Sequence, residues 1–239
     1  MPHPLVALAL STASALGAAP SPAPAETPAV RYEPAGSPRA EQARRLLRES
    51  EALRTRIRLP QPVEVVARDC AGPPASWDAA QRRITLCYAG VDRLRRTLTG
   101  IAETEEADAR TAGRRLDAAL SVLFHHQLGH ALGTLNGLPD AEDQADRLAA
   151  LTLAADRPAR AVPAAEARHL LAAGHDGLTG HPEGAEESAT FACLLYGADP
   201  AANAAIAKGG WVPAQRAPSC AAEYGRVKAA AGSLVVKEP

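Results

Sequence analysis

The sequence predicts an α+β fold, predominantly helical, with a small antiparallel sheet packed on a pair of helices. Three observations predict it. Val63-Glu64-Val65-Val66-Ala67 and Arg83-Ile84-Thr85-Leu86-Cys87-Tyr88 alternate as short strands do, with the turn-forming Gly72-Pro73-Pro74 between them. Most of the remaining chain is Ala- and Leu-rich with apolar residues at helical spacing. Two histidines, His126 and His130, stand four residues apart within one such stretch, on one helix face.

From the N-terminus, Leu5 to Ala19 is a largely apolar run followed by small residues at Gly17-Ala18-Ala19 and Ala23-Pro24-Ala25. Residues 1–25 read as a secretory signal peptide, although Met1-Pro2-His3-Pro4 carries no Lys or Arg. The run falls short of the roughly 20 apolar residues that a membrane-spanning helix needs, and no later segment approaches that length. The expected location is therefore outside the cytoplasm, periplasmic or extracellular, with no membrane contact after cleavage. Residues 26–38 are rich in Pro and Ala and read as a linker, leaving 39–239 as a single domain.

Within the domain, Leu46, Leu47 and Leu53 recur among Arg and Glu, and Glu41 precedes Arg45 by four residues, which predicts an amphipathic helix from Pro38 to about Ile57. Pro60 and Pro62 end it, and the two strands follow. Trp77 and Asp78 lead into the connection between them. A helix begins at Val91 to Thr97, and Glu103 to Glu106 is either a loop or the start of the next element. The helix that carries the histidines is expected from about Ala112 to Leu135, with Leu116, Leu120 and Leu123 as its buried stripe. Gly137 and Pro139 stop it, and Asp140 is a plausible N-cap for a helix reaching about Ala155. The segments around Gly209-Gly210-Trp211 and from Cys220 to Tyr224 are expected to pack as a C-terminal helix and loop.

Composition excludes some classes of function. A net charge of −1 with interspersed Lys, Arg, Asp and Glu gives no basic stripe for a phosphate backbone, so nucleic acid is not an expected partner. Four cysteines, Cys70, Cys87, Cys193 and Cys220, suit an oxidising compartment. They allow three pairings, and the sequence does not choose among them; Cys70 with Cys87 and Cys193 with Cys220 is the expected pairing because each falls inside a compact segment.

The chemistry concentrates in Phe124-His125-His126-Gln127-Leu128-Gly129-His130-Ala131-Leu132. His126 and His130 have the spacing of the zinc-protease helix motif HExxH, with glutamine at the position of the general base. On the next helix Glu142 and Asp146 lie four apart, so one face presents two carboxylates. Two imidazoles and one carboxylate are the usual protein ligands of a catalytic zinc, so His126, His130 and Glu142 are the candidate ligands of Zn2+. Asp146 is the candidate carboxylate that holds a ligating imidazole by its other ring nitrogen. His125 points about 100° away around the helix and reads as a half-buried core residue. Gln127 has no useful basicity, and losing a general base typically slows such a reaction by about 10²–10⁴-fold.

Tyr32-Glu33-Pro34, Leu46-Leu47-Arg48-Glu49-Ser50, the strand Arg83 to Tyr88, the helix Phe124 to Leu132, Leu138-Pro139, Glu142-Asp143 with Ala145-Asp146, and Cys193-Leu194-Leu195-Tyr196-Gly197 occur in this order. In them the chain resembles an exported bacterial family of zinc metallopeptidase-like proteins, long catalogued only as a domain of unknown function. The resemblance implies a zincin-like, specifically gluzincin-like, fold, Zn2+ as cofactor, and a peptide or protein as substrate or ligand. It also makes His181, twelve residues before Cys193, a candidate hydrogen-bond donor to the oxyanion of peptide attack. The sequence departs from the family's pattern at Gln127 and around Glu186-Glu187-Ser188-Ala189-Thr190. Both departures point to weakened or absent hydrolysis, or to a scaffold kept for binding. The alternatives are a working enzyme in which Glu183, Glu186 or Glu187 supplies the base, and a non-catalytic exported peptide-binding or structural domain that keeps the protease scaffold for its shape, without metal.

Overall fold

Most of the sheet runs parallel, so the expectation of an antiparallel sheet is corrected. A computed structural model describes residues 27–173 and 184–237. Its elements are β1 (Val30–Tyr32), α1 (Pro38–Glu49), β2 (Ile57–Arg58), β3 (Glu64–Arg68), β4 (Ala75–Asp78), β5 (Arg83–Cys87), α2 (Tyr88–Thr104), α3 (Ala109–Leu135), α4 (Glu142–Asp156), α5 (Ala161–Ala172), α6 (Ala185–Ala198), α7 (Ala204–Lys208), α8 (Cys220–Ala231) and β6 (Val236–Lys237). The fold is thus α+β and predominantly helical. The main sheet has the order β1-β3-β5-β4, with β1, β3 and β5 parallel and only β4 antiparallel to its neighbour. The cause is β4, a four-residue strand that the sequence pattern did not show. The chain reverses once at Gly72-Pro73-Pro74 and again beyond Asp78, where Arg82 takes a φ of 49°, and two reversals return β5 along the direction of β3. β2 and β6 form a separate antiparallel pair.

β1 lies inside the 26–38 stretch that reads as a linker. Val30, Arg31 and Tyr32 pair with Val65, Val66 and Ala67, and the Tyr32 hydroxyl donates to the Leu47 carbonyl at 3.1 Å. Two β-favouring residues, Val30 and Tyr32, with a ready partner strand outweigh the local proline content. The Tyr88 hydroxyl, buried at the start of α2, lies 2.7 Å from the Glu33 carbonyl and 2.9 Å from that of Ala67, which ties β1, β3 and α2 together. It is thereby a structural tyrosine.

The first helix stops at Glu49, not near Ile57. Ser37 caps its start by accepting from the Ala40 N–H, Pro38 opens it, and the Ser50 hydroxyl accepts from Ala52 N–H to begin a tighter turn over Glu51–Leu53. α2 buries Tyr88, Val91, Leu94, Leu98 and Ala102, a stripe at spacings of three and four residues.

α3 is the central rod. Its start is capped by Asp108, which accepts from the Thr111 N–H at 2.8 Å. From Ala118 to Gly133 almost every side chain is buried, the polar Ser121, His125, His126 and Gln127 included, so this segment is a core helix and not a surface helix. Its end is a Schellman motif: Leu138 N–H bonds to the Gly133 carbonyl, Gly137 N–H to that of Thr134, and Gly137 takes a φ of 74°. The sheet reaches α3 through β4, α2 packs beside it, and α4, α5 and α6 complete the other side. Two disulfides close the structure, Cys70 with Cys87 beside the sheet and Cys193 with Cys220 between α6 and α8.

Candidate metal centre

The site is built where α4 crosses α3, and a glycine decides how closely they cross. A Cβ on Gly129 would run into the Ala145 carbonyl of α4, so the two backbones meet with no side chain between them. Gly129 lies between His126 and His130, and Ala145 lies between Glu142 and Asp146. The closest point of the crossing therefore sits in the middle of all four chemical side chains.

Three donor atoms converge there. His126 Nε2 lies 3.0 Å from His130 Nε2 and 3.0 Å from Glu142 Oε2, and His130 Nε2 lies 3.3 Å from the same oxygen. Ligands bound at about 2.0–2.1 Å in a tetrahedron stand about 3.3–3.4 Å apart, so the spacing suits one small cation. The rings are edge to face, with centroids 4.7 Å apart.

The other ring nitrogens explain which way the lone pairs face. His126 Nδ1 lies 2.8 Å from Asp146 Oδ1, and His130 Nδ1 lies 2.6 Å from Asp140 Oδ1. An ionised carboxylate only accepts, so each Nδ1 carries the proton and each neutral ring turns an Nε2 lone pair into the cluster. Two lone pairs and a carboxylate oxygen facing one another repel unless a proton or a cation lies among them. With a proton there, burial pushes the His126 imidazolium pKa down, but its hydrogen bonds to Asp146 and Glu142 outweigh burial and raise it to about 9. Burial likewise pushes the Asp146 carboxyl up, and the His126 hydrogen bond with the Arg168 charge outweighs it, holding Asp146 below the usual carboxylate range.

Two residues that shape the cluster escape a reading by spacing. Asp140 does not cap α4: the residue at that position is Ala141, with no side-chain hydrogen bond, and Asp140 instead reaches back to His130. Arg168, on α5, is 1% exposed and donates to Asp146 Oδ2 at 2.7 Å. Gln127 is 5% exposed and makes no hydrogen bond to a described residue. His125 is fully buried where a half-buried residue was expected. Its Nδ1 donates to the Ser121 carbonyl at 2.8 Å, its Nε2 has no partner, and burial holds its pKa at about 4.

His181 and Glu183 lie outside the described residues. Glu186 and Glu187 stand in the first turn of α6 and share a hollow of about 290 Å³ with Asp146 and Arg216. Neither carboxylate joins the three converging atoms. Glu186 is 3.6 Å from the Arg216 guanidinium, which also donates to Glu223 at 2.7 Å. His169 is exposed on α5.

Among the described residues, the grouping of His126, His130 and Glu142 is the one arrangement of three or more His, Cys, Asp or Glu side chains suited to an ion. Fold and site together define an α+β protein with a candidate metal site at a helix crossing, supported from behind by carboxylates. The chain belongs to the family described as "Putative metallopeptidase", whose sequence model matches residues 32–234. No curated protein and no solved structure matches the chain.

Proposed function

We propose that the protein is an exported zinc-site member of the metallopeptidase family whose peptide hydrolysis is impaired by Gln127, so that it binds peptides better than it cuts them. The observation that carries this reading is the convergence of His126, His130 and Glu142 to within 3.0–3.3 Å of one another, on the residue before a glutamine. The donors fit zinc by number, type and spacing: two neutral imidazoles and one carboxylate, the usual protein ligands of a catalytic site. When bound, zinc supplies a Lewis acid that polarises a carbonyl and acidifies water. The chain's own residues then hold and orient. Asp146 and Asp140 fix the two rings, and Glu142, with a side chain 52% exposed, faces the solvent side. The Gln127 amide can hydrogen-bond to water but does not take its proton.

An extended peptide has a place to lie. β4 is one of the two edge strands of the sheet and the one that packs against α3, and it has no strand on its other side among the described residues. Its unpaired main-chain groups suit strand addition, which gives affinity with little side-chain selectivity. The two disulfides support export to an oxidising compartment. No helix among the described residues is long and apolar enough to cross a membrane.

Zinc analysis and peptidase assays test the reading. The purified protein is expected to carry about one zinc per chain, and Gln127→Glu to raise peptide cleavage by about 10²–10⁴-fold. A protein without stoichiometric zinc overturns the metal assignment. Brisk cleavage by the parent protein, abolished in His126→Ala, overturns the impaired reading and leaves the metal in place.

A further inference from the structure

We infer that Arg168 is a positioning residue for the metal centre, acting through Asp146 on His126 without touching the ion; this rests on the metal assignment above. The geometry is a line of three side chains from three helices. Arg168 of α5 donates to Asp146 Oδ2 at 2.7 Å, and Asp146 of α4 accepts from His126 Nδ1 of α3 through its other oxygen at 2.8 Å. All three are buried, at 1%, 5% and 4% exposure. With one oxygen taken by the guanidinium, the carboxylate is fixed in rotation, and its second oxygen has one direction left, along the imidazole N–H. That fixes the ring so that Nε2 faces His130 and Glu142.

Stability alone is a poor reason for this arrangement. A buried ion pair is often no more stabilising than apolar side chains of the same volume, because both charges must leave water. Elsewhere α5 is lined with small apolar residues, burying Ala161, Ala164, Ala165, Ala167 and Leu171 around this one cation. An apolar pair at positions 146 and 168 would satisfy packing. What it would not supply is an oriented acceptor behind a ligand.

The test is the zinc dissociation constant of the full chain, measured by competition with a chromophoric chelator, with the cobalt-substituted absorption spectrum as a second readout. Arg168→Met is expected to weaken zinc binding by about 10–100-fold, the usual effect of removing an outer partner of a ligand. Arg168→Lys should recover part of that loss, and the cobalt bands should shift in Arg168→Met as the ring loses its fixed orientation. If Arg168→Met does not fold, the pair Asp146→Asn and Asp146→Asn/Arg168→Met replaces it, since the double variant buries no unpaired cation. The double variant is expected to bind zinc as Asp146→Asn alone does. Equal affinity in a folded Arg168→Met and the parent, or a further loss of affinity in the double variant, overturns the inference. A parent chain that binds no zinc overturns the metal assignment instead, so the two failures are distinct.

Discussion

The two imidazoles of the candidate metal centre are held by arms of unequal depth. His126 is backed by Asp146 and Arg168, both nearly sealed from water, whereas His130 is backed by Asp140, whose side chain is 52% exposed. The contacts themselves are similar, at 2.8 and 2.6 Å. Distance therefore does not rank them; the surrounding dielectric does. A charge pair in the interior interacts several times more strongly than one facing water, and its members suffer far more when a partner is removed.

The largest test of that difference is truncation of each carboxylate. Asp146→Ala takes from the buried Arg168 the carboxylate it donates to and is expected to lower unfolding free energy by about 3–5 kcal/mol. Asp140→Ala is expected to lower it by less than about 1 kcal/mol. Denaturant titrations of the two variants give the comparison directly, and equal losses would break it. Next is the crossing that both arms depend on. Gly129→Ala forces α3 and α4 apart at Ala145, with an expected loss of about 1–3 kcal/mol and weaker zinc binding, read by calorimetry. A variant that keeps parental zinc affinity would show that the arms, not the backbone contact, set the site.

Salt sharpens the contrast further. Zinc affinity lost in Asp140→Asn should shrink between about 0.05 and 0.5 M salt as the exposed pair is screened, while the loss in Asp146→Asn should stay nearly constant. The smallest effect comes from a reference carboxylate away from the metal. Asp156 has a buried side chain but a partner, Arg56, that is 60% exposed. Burial pushes its carboxyl up, but the Arg56 N–H and guanidinium outweigh burial and hold it below the usual range. A depressed folded pKa means that the stabilisation is present above the unfolded value of about 3.9 and is lost as pH falls through the lower folded value. Asp156→Asn should therefore lower stability by about 1–2 kcal/mol near neutral pH and flatten the acid limb of a melting-temperature profile. A larger change than in Asp146→Ala would show that the exposure of the partner arginine does not set the cost.

Much of this arrangement is visible in the sequence where it is written at helical spacing. His126 with His130 and Glu142 with Asp146 each declare a common face by being four residues apart, and the structure places the four side chains together. Gly137 announces the end of α3 because that end takes a positive φ, which glycine adopts without strain. The same local signals mislead at Asp140. An acid two residues before an acidic first turn looks like a cap, and nothing in the chain's order shows that it folds back to His130. Arg168 is invisible for another reason: one arginine in an Ala-rich helix reads as a solvated face, and its partner is 22 residues away. Gly129 was equally legible as a letter and silent as a contact, since what it admits is a backbone from another helix. Short strands fared worst. β1 and β4 are three and four residues long, too short for periodicity to separate from their proline-rich surroundings, and without β4 the pairing direction of β5 could not be inferred.

The bare backbone contact at Gly129 also bears on how an ion would leave. Where two helices touch with no side chains between them, water has no path inward, so the amide hydrogens of residues 123–132 and 145–153 should be among the slowest in the molecule to exchange with deuterium. The two imidazoles ride on that segment. By contrast Glu142, at the first turn of α4, lies 3.0 Å from His126 Nε2 while half its side chain meets solvent. An ion held there would meet solvent first on the side of that carboxylate.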